Sequence, residues 1–125
     1  MLRACHTVLK PGGRIAYFNI FISHDVPEEE RRRLRDAGHG ERYTRAEQQA
    51  LLRSAGFARI QETDVTGEYL RVQRALYEAN ERHARGVQRA QGRQQFADRQ
   101  ETRRRTIREI EAGVLKRSLF AAERP

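Results

Sequence analysis

The first 22 residues combine a helical stripe, a tight turn and a long apolar run. Apolar side chains recur at helical spacing, at Leu2, Cys5, Val8 and Leu9. Residues 10–13 then read KPGG, in which Pro11 suits the second position of a turn and Gly12 the third, where a positive φ is needed. The pattern predicts a helix over residues 1–9 and a strand after the turn.

The strand predicted over residues 15–22 lacks the alternation of apolar and polar residues that is typical of a strand with one face in solvent. Its sequence, IAYFNIFI, is apolar except for Asn19. Runs of this kind are typical of strands in sheets that carry helices on both faces. We therefore expect this strand to lie inside an α/β sheet.

Two helices and a second strand follow. The segment PEEERRRLRDAG predicts a polar helix that starts at Pro27 and stops near Gly38. Thr44 and Glu47 have capping-box spacing, which predicts a helix that ends at Gly56. Residues 57–66, FARIQETDVT, then favour a half-polar strand at or near a sheet edge.

The pattern of residues 67–125 predicts a helical segment and a last strand. Apolar positions at three- and four-residue spacing indicate one amphipathic helix, and a weaker helix follows Gly92. The stripe of the first comprises Tyr69, Val72, Leu76, Ala79, His83 and Val87. Since no repeat or linker separates these parts, we expect one unit: a helix-strand-helix-strand part (1–66), a helical insertion (67–113) and a final strand (114–125).

A net charge of +8 raises the question of nucleic acid. The densest basic runs are preceded by acids: glutamates at 28–30 come before arginines at 31–33, and Glu101 comes before arginines at 103–105. At helical spacing these residues form ion pairs on a solvated face, and no aromatic residue interrupts the runs to stack on a base. The distribution argues against a nucleic-acid partner.

The composition limits the size of the core and bears on membrane contact, disulfide bonds and metal binding. Only 38% of the 125 residues are hydrophobic, so any core is thin. No segment has the roughly 20 apolar residues of a membrane span and no signal peptide is recognisable, so we expect a cytoplasmic protein without membrane contact. The one cysteine, Cys5, cannot form an internal disulfide, and the histidines lack metal-site spacing, so no metal is expected.

The order of these elements resembles the C-terminal half of a class I S-adenosylmethionine (SAM)-dependent methyltransferase. The segment HTVLKPGGRIAYFNI resembles the turn and fifth strand of that fold. The segment YTRAEQQALLRSAGFARIQ resembles the helix and sixth strand that follow, and GVLKRSLFAAERP resembles the seventh strand. The resemblance implies an α/β fold with half of a Rossmann-like sheet, a small mixed sheet of three strands in the order 5-7-6. The helices between 67 and 112 resemble the substrate-side insertions of small-molecule members.

In that order the strand at residues 14–22 would form an open edge. A long apolar edge strand is a template for mispairing. We therefore expect the isolated chain to be marginally stable or to aggregate unless a partner chain pairs with residues 14–22.

The resemblance fails at the cofactor site. Members of the family hold SAM on a glycine-rich turn after the first strand, with an acidic residue at the end of the second strand on the ribose. The close glycine pairs here are Gly12-Gly13, which precedes a strand, and Gly38-x-Gly40, which follows a helix. We expect no cofactor-binding residue in this chain, although the intact family uses SAM, and we interpret Met1 as a truncated or misplaced start.

The family's sheet geometry gives candidate substrate-binding residues. Ligands of doubly wound sheets bind beyond the carboxyl ends of the parallel strands, the end that Asn19, Phe21 and His24 approach. Tyr43 resembles a position that borders the substrate pocket, with a packed hydrophobic staple as the alternative. His24 is the candidate catalytic residue, as a general base on a hydroxyl or amine, or else a surface histidine. Asn19 either satisfies its amide locally or faces the crevice.

Three functions remain open. In the first, the chain is a fragment of a methyltransferase that transfers a methyl group to a nitrogen, oxygen or carbon atom of a small-molecule acceptor, and the fragment is inactive alone. Alternatively it is a non-catalytic basic module that docks a partner chain or nucleic acid. The third possibility is half of a split enzyme, whose cofactor half pairs along residues 14–22.

Overall fold

The computed structural model describes residues 1–37 and 45–125, so the predicted cap at Thr44 lies outside the described residues. Within these ranges the chain forms three strands and six helices. In chain order they are α1 (Leu2–Val8), β1 (Arg14–Ile22), α2 (Glu28–Asp36), α3 (Arg45–Ser54), β2 (Ala58–Asp64), α4 (Thr66–Arg82), α5 (Ala84–Gln91), α6 (Arg93–Glu111) and β3 (Leu115–Glu123).

The strands form one sheet in the order β1-β3-β2. This confirms the α/β class and the predicted order, in which the last strand lies between the other two. β1 pairs antiparallel with β3 from Arg14↔Glu123 to Ile22↔Leu115, and β2 also pairs antiparallel with β3. The expected mixed sheet is wrong for this chain, because β3 separates the two strands that run in the same direction.

The turn before β1 has the predicted geometry and is tied to the last strand. Gly12 has φ +81° and Gly13 N–H donates to the carbonyl of Lys10 at 2.8 Å. Arg124 N–H donates to the carbonyl of Gly13 at 2.8 Å, and its guanidinium donates to the carbonyls of His6, at 2.8 Å, and Leu9. These bonds satisfy carbonyls that the end of a short helix leaves unpaired.

Helices α1 and α3 cover one face of the sheet. The buried side chains of this face are Leu52, Ala55, Phe57, Phe120 and Ala122. Leu2, Cys5 and Leu9 pack against them, as the stripe on α1 predicted. Val8, placed in the same stripe, is instead exposed, because it lies about 100° around the helix from Leu9.

Helices α4 and α6 cover the other face where β1 ends and β3 begins. The buried cluster there consists of Ile22, Val26, Tyr69, Ile110 and Leu115. β1 is therefore covered on both faces only near its carboxyl end, whereas Phe18 is 54% exposed. The prediction of a fully covered strand was wrong for its first half, because the helical insertion packs at one end of the sheet.

The predicted helical insertion is confirmed, with one more break than expected. The first helix divides at His83, and α6 contacts both resulting helices. Gln100 of α6 is buried and donates to the carbonyl of Tyr77 at 3.2 Å and to Glu81 Oε1 at 2.9 Å. The apolar stripe predicted for this helix is only partly buried: Tyr69 is buried, whereas Val72 and Leu76 are 39% and 42% exposed, because α6 packs on α4 partly through the polar side chain of Gln100.

Candidate functional site

The carboxyl end of β1 turns sharply around a buried serine. Ser23 is fully buried, and its N–H donates to the carbonyl of Val114 at 2.8 Å. Its Oγ accepts the N–H of Asp25 at 3.3 Å, and its carbonyl accepts the N–H of Val26 at 3.2 Å. This turn fixes where the two residues after the strand emerge.

Those residues are His24 and Asp25, which lie side by side at the surface. His24 Nε2 is 3.3 Å from Asp25 Oδ1, and the histidine side chain is 73% exposed. An imidazole with this access to solvent can accept a proton from a molecule bound beside it. Phe21 lies buried three residues before His24, whereas Tyr43 lies outside the described residues.

Asn19 lies further inside the sheet, on the face toward α1 and α3. Its side chain is 9% exposed, and its Nδ2 has no hydrogen-bond partner among the described residues. Its register partner, Ser118, donates its hydroxyl to Glu62 Oε1 at 2.8 Å. Three residues of strand, roughly 10 Å, separate Asn19 from Ile22, and the chain then turns before His24.

Asn19 lines a cavity of about 590 Å³ between α1, β1 and α3. Two more polar side chains of its wall bond to each other: Tyr17 Oη donates to Gln48 Oε1 at 2.8 Å. Burial raises the pKa of Tyr17. Sequence reasoning missed this pair, although a tyrosine within an apolar strand signals that its hydroxyl needs a partner.

A second arrangement missed from the sequence joins β1, β3 and α4. The guanidinium carbon of Arg117 lies 4.1 Å from the ring centroid of Phe18 and 5.3 Å from that of Tyr69. Burial raises the pKa of Tyr69, an effect that Glu109 reinforces and Arg117 opposes. Cation–π contacts of this kind hold the helical insertion onto the sheet.

The basic runs form ion pairs along their helices, as their spacing predicted. Arg104 Nη2 lies 2.8 Å from Glu101 Oε2, and Arg71 Nη2 lies 2.7 Å from Glu68 Oε2. Arg31 pairs with Glu28 in the same way. These arginines therefore have acidic partners within the chain.

The described strand-to-helix connections can be compared with the glycine-rich turn that holds SAM in the methyltransferases the sequence resembles. A helix follows β1 and another follows β2, the two strand-to-helix connections of this part, and neither connection contains a Gly-x-Gly turn. Asp64, which ends β2, caps the next helix by accepting the N–H of Thr66 at 2.9 Å. No group of three or more potential metal ligands occurs within the described ranges, and none of the helices there is long and apolar enough to cross a membrane.

Comparison with solved structures identifies the fold. Phosphoethanolamine N-methyltransferase 2 of Haemonchus contortus, in complex with phosphomonomethylethanolamine and S-adenosylhomocysteine, matches 99% of this chain with a TM-score of 0.83 and 14% identity. Cyclopropane synthase MmaA2 of Mycobacterium tuberculosis matches 98% with a TM-score of 0.79 and 14% identity. A protein of Galdieria sulphuraria, assigned as a sarcosine dimethylglycine methyltransferase, matches 98% with a TM-score of 0.83 and 12% identity.

The matched region is a part of each of those proteins. The chain spans 29% of the Haemonchus protein, 48% of the cyclopropane synthase and 46% of the Galdieria protein, in their C-terminal portions. No protein-family model matches the sequence, and no curated protein does. The three-stranded sheet with its helical insertion therefore has the fold of the C-terminal part of SAM-dependent methyltransferases.

Proposed function

We propose that this chain is the acceptor-side part of a SAM-dependent methyltransferase that acts on a small molecule. The observation that carries the proposal is the likeness over 98–99% of the chain to methyltransferases of which it spans less than half. Two of those proteins are associated with small amines: the Haemonchus enzyme holds phosphomonomethylethanolamine, and the Galdieria protein is named for sarcosine and dimethylglycine. A small acceptor nitrogen is therefore the first class to test.

The cofactor-binding residues belong, in this proposal, to polypeptide outside these 125 residues. The alternation of hydrogen bonds in an antiparallel pair supports this. Ser23 N–H bonds to the carbonyl of Val114, so the odd-numbered residues of β1 face β3. The backbone N–H and C=O groups of Ala16, Phe18 and Ile20 then point away from β3 and are available to a further strand.

The acceptor binds, in this proposal, beyond the carboxyl end of β1. Helices α4 and α6 pack at this end of the sheet and limit the size of the molecule that enters. Phe21 and Tyr43 stay the candidates for apolar contacts, and His24 takes the proton that a hydroxyl or ammonium acceptor loses, with Asp25 beside it. Asn19 lies further inside the strand than Phe21 and His24.

The test compares two proteins. One is the 125-residue chain, and the other carries in addition whatever the in-frame DNA upstream of the Met1 codon encodes, or a co-expressed neighbouring chain if that frame is closed. Each is assayed for transfer of radiolabelled methyl groups from SAM to phosphoethanolamine, sarcosine and a panel of small alcohols. SAM binding is measured by calorimetry.

We expect methyl transfer by the extended or co-expressed protein, and neither transfer nor SAM binding by the 125-residue chain. If no combination transfers a methyl group, the enzymatic proposal is wrong. If the short chain binds SAM by itself, the cofactor site was misassigned.

A further inference from the structure

The helical insertion carries a basic segment that contains no acids. Residues 84–97 include three arginines and neither aspartate nor glutamate. The arginines, which we call the arginine patch, are Arg85, Arg89 and Arg93. All three are exposed, and none has an ion pair or a side-chain hydrogen bond with another described residue. The acids that neutralise the densest basic runs, at residues 28–33 and 101–105, therefore have no counterpart here.

The break between α4 and α5 separates the patch from the nearest acids. Glu81 precedes Arg85 by four residues, a spacing that forms ion pairs within one helix, but Glu81 belongs to α4 and Arg85 to α5. Glu81 Oε1 instead accepts a hydrogen bond from Gln100 at 2.9 Å. On the other side of the segment, Asp98 Oδ1 accepts a hydrogen bond from Gln94 at 2.9 Å. Both flanking carboxylates therefore bond glutamines of α6.

The three arginines line one open depression of about 340 Å³, together with Gln88. Arg85 and Arg89 lie about one turn apart on α5, roughly 6 Å along its axis. Arg93 follows the bend at Gly92, where φ is +91°. Arginine suits phosphate oxygens because its planar guanidinium group donates two parallel hydrogen bonds. The depression thus brings three phosphate-binding side chains to one surface.

The surroundings of the patch distinguish between the polyanions that fit it. Phe96 is the aromatic residue of this segment and is buried, so no ring is offered on which an unpaired base could stack. No large hydrophobic side chain is exposed among residues 84–97, all of which the structure describes, so the segment has no anchor for insertion into a lipid surface. A nucleic-acid duplex needs neither feature, because its bases are stacked inside and its phosphates face outward.

An acidic polypeptide fits the patch less well than a duplex does. Exposed pairs of arginine and carboxylate contribute little, and a flexible acidic segment loses conformational entropy when it binds. A duplex carries a dense row of charges and releases condensed counterions for each phosphate that an arginine neutralises.

We propose that the arginine patch binds the phosphate backbone of a nucleic-acid duplex without base specificity. The patch is the exception to the charge distribution that argues against a nucleic-acid partner for the rest of the chain. Binding at this surface does not depend on the proposed methyl transfer, because neither His24 nor Phe21 lines the depression.

The test measures the binding of a fluorescent DNA duplex of about 20 base pairs by anisotropy, at salt concentrations from roughly 50 to 200 mM. The protein is the 125-residue chain, or the extended protein if only that form folds. Three phosphate contacts predict a slope of about −2.7 for log affinity against log salt concentration, which is about 40-fold weaker binding across this range. A duplex of shuffled sequence should bind equally well.

Two triple variants with the same loss of charge locate the binding surface. The combined substitutions Arg85→Gln, Arg89→Gln and Arg93→Gln should reduce the steepness of the salt dependence by about 2.7. The matched control replaces by glutamine three exposed arginines that have acidic partners: Arg71, Arg74 and Arg104. The control should keep most of the salt dependence. Because all six positions are exposed, the melting temperatures of both variants should stay close to that of the unaltered chain.

Equal losses of affinity in the two triple variants would overturn the proposal, since net charge and not the patch would then bind the duplex. Absence of salt-dependent duplex binding would overturn it as well. Polyglutamate that displaces the duplex at an equal concentration of charges would assign the patch to an acidic polypeptide instead. Vesicles containing phosphatidylserine that bind as tightly as the duplex would assign it to a membrane surface, and either result would contradict a nucleic-acid partner.

Discussion

The imidazole of His6 lies against the backbone of Gly56, so closely that a Cβ on Gly56 would be 2.9 Å from His6 Nε2. Gly56 ends α3 with φ +96°, and its N–H donates to the carbonyl of Arg53 at 3.0 Å. The ring of His6 also meets Phe57 edge-on, with centroids 5.1 Å apart. Gly56, the residue at which the sequence predicts the end of α3, is therefore also the point at which α1 packs on α3.

Gly56→Ala should lower the free energy of unfolding by about 2 kcal/mol or more. About 1 kcal/mol comes from the positive φ and the rest from displacing His6. Gly113→Ala is the matched control, because Gly113 ends α6 with φ +76° and its N–H donates to the carbonyl of Ile110 at 3.0 Å, as that of Gly56 does to Arg53. A Cβ added at Gly113 would meet nothing within 4 Å, so only the backbone cost remains. Urea denaturation measures both. Equal losses in the two variants would show that the His6 contact is without effect.

Hydrogen exchange should alternate along β1 in the isolated chain. The amides of Tyr17, Asn19 and Phe21 face β3 and should be protected, whereas those of Ala16 and Phe18 should exchange fast. Strong protection throughout residues 14–22 in a monomer would contradict the open edge.

Two proline variants test the same alternation. Ala16→Pro removes an N–H that points away from β3, so it should leave folding nearly unchanged but weaken pairing with a partner strand. Tyr17→Pro removes an N–H that faces β3, so it should disrupt the fold.

In the intact enzyme, His24→Gln should reduce kcat by about 10²- to 10⁴-fold, the usual contribution of a general base, with a smaller change in KM. His83→Gln is the control, because His83 is also exposed but lies at the junction of α4 and α5, so its kcat should stay unchanged. An unchanged kcat for His24→Gln would assign His24 to the surface without a catalytic role.

Gln100→Leu should lower the free energy of unfolding by about 1–3 kcal/mol, because it removes a buried amide that bonds the carbonyl of Tyr77 and the carboxylate of Glu81. Gln94→Leu is the control, since Gln94 is exposed and donates to Asp98 of its own helix. Its effect should stay within about 0.5 kcal/mol. Melting curves by circular dichroism measure both, and similar values would mean that Gln100 does not hold α6 on α4.

Stability should fall in alkali above pH 10. Burial raises the pKa of Tyr17 and of Tyr69 above the ordinary value of 10.0. The folded state then holds protons that the unfolded state releases, so this contribution is complete below pH 10 and is lost as pH rises toward the folded-state pKa values. Tyrosinate absorbance should show a late titration that Tyr17→Phe reduces. Identical titration of Tyr17→Phe and the unaltered chain would contradict a buried Tyr17.

Local signals determined the elements and their order. The KPGG turn, the glycine stops at Gly56 and Gly92, and the apolar periods of the helices depend on backbone geometry within a few residues, so they could be identified from the sequence. The resemblance to methyltransferases supplied the sheet order, and the structure confirmed it. The contacts of the candidate site could not be predicted from the local sequence or from the resemblance.

Tertiary structure decided which side chains meet and which lack partners. Tyr17 and Gln48 are 31 residues apart, and the Phe18–Arg117 contact joins the two strands of a ladder whose register no local pattern sets. Asn19 is an ordinary polar residue in the sequence, and only the fold shows that its amide nitrogen is buried with no acceptor among the described residues. The sequence by itself determined the helices, the strands and their turns, because these depend on neighbours along the chain. Burial, cavities and unsatisfied donors depend on neighbours in space, so only the folded structure could reveal them.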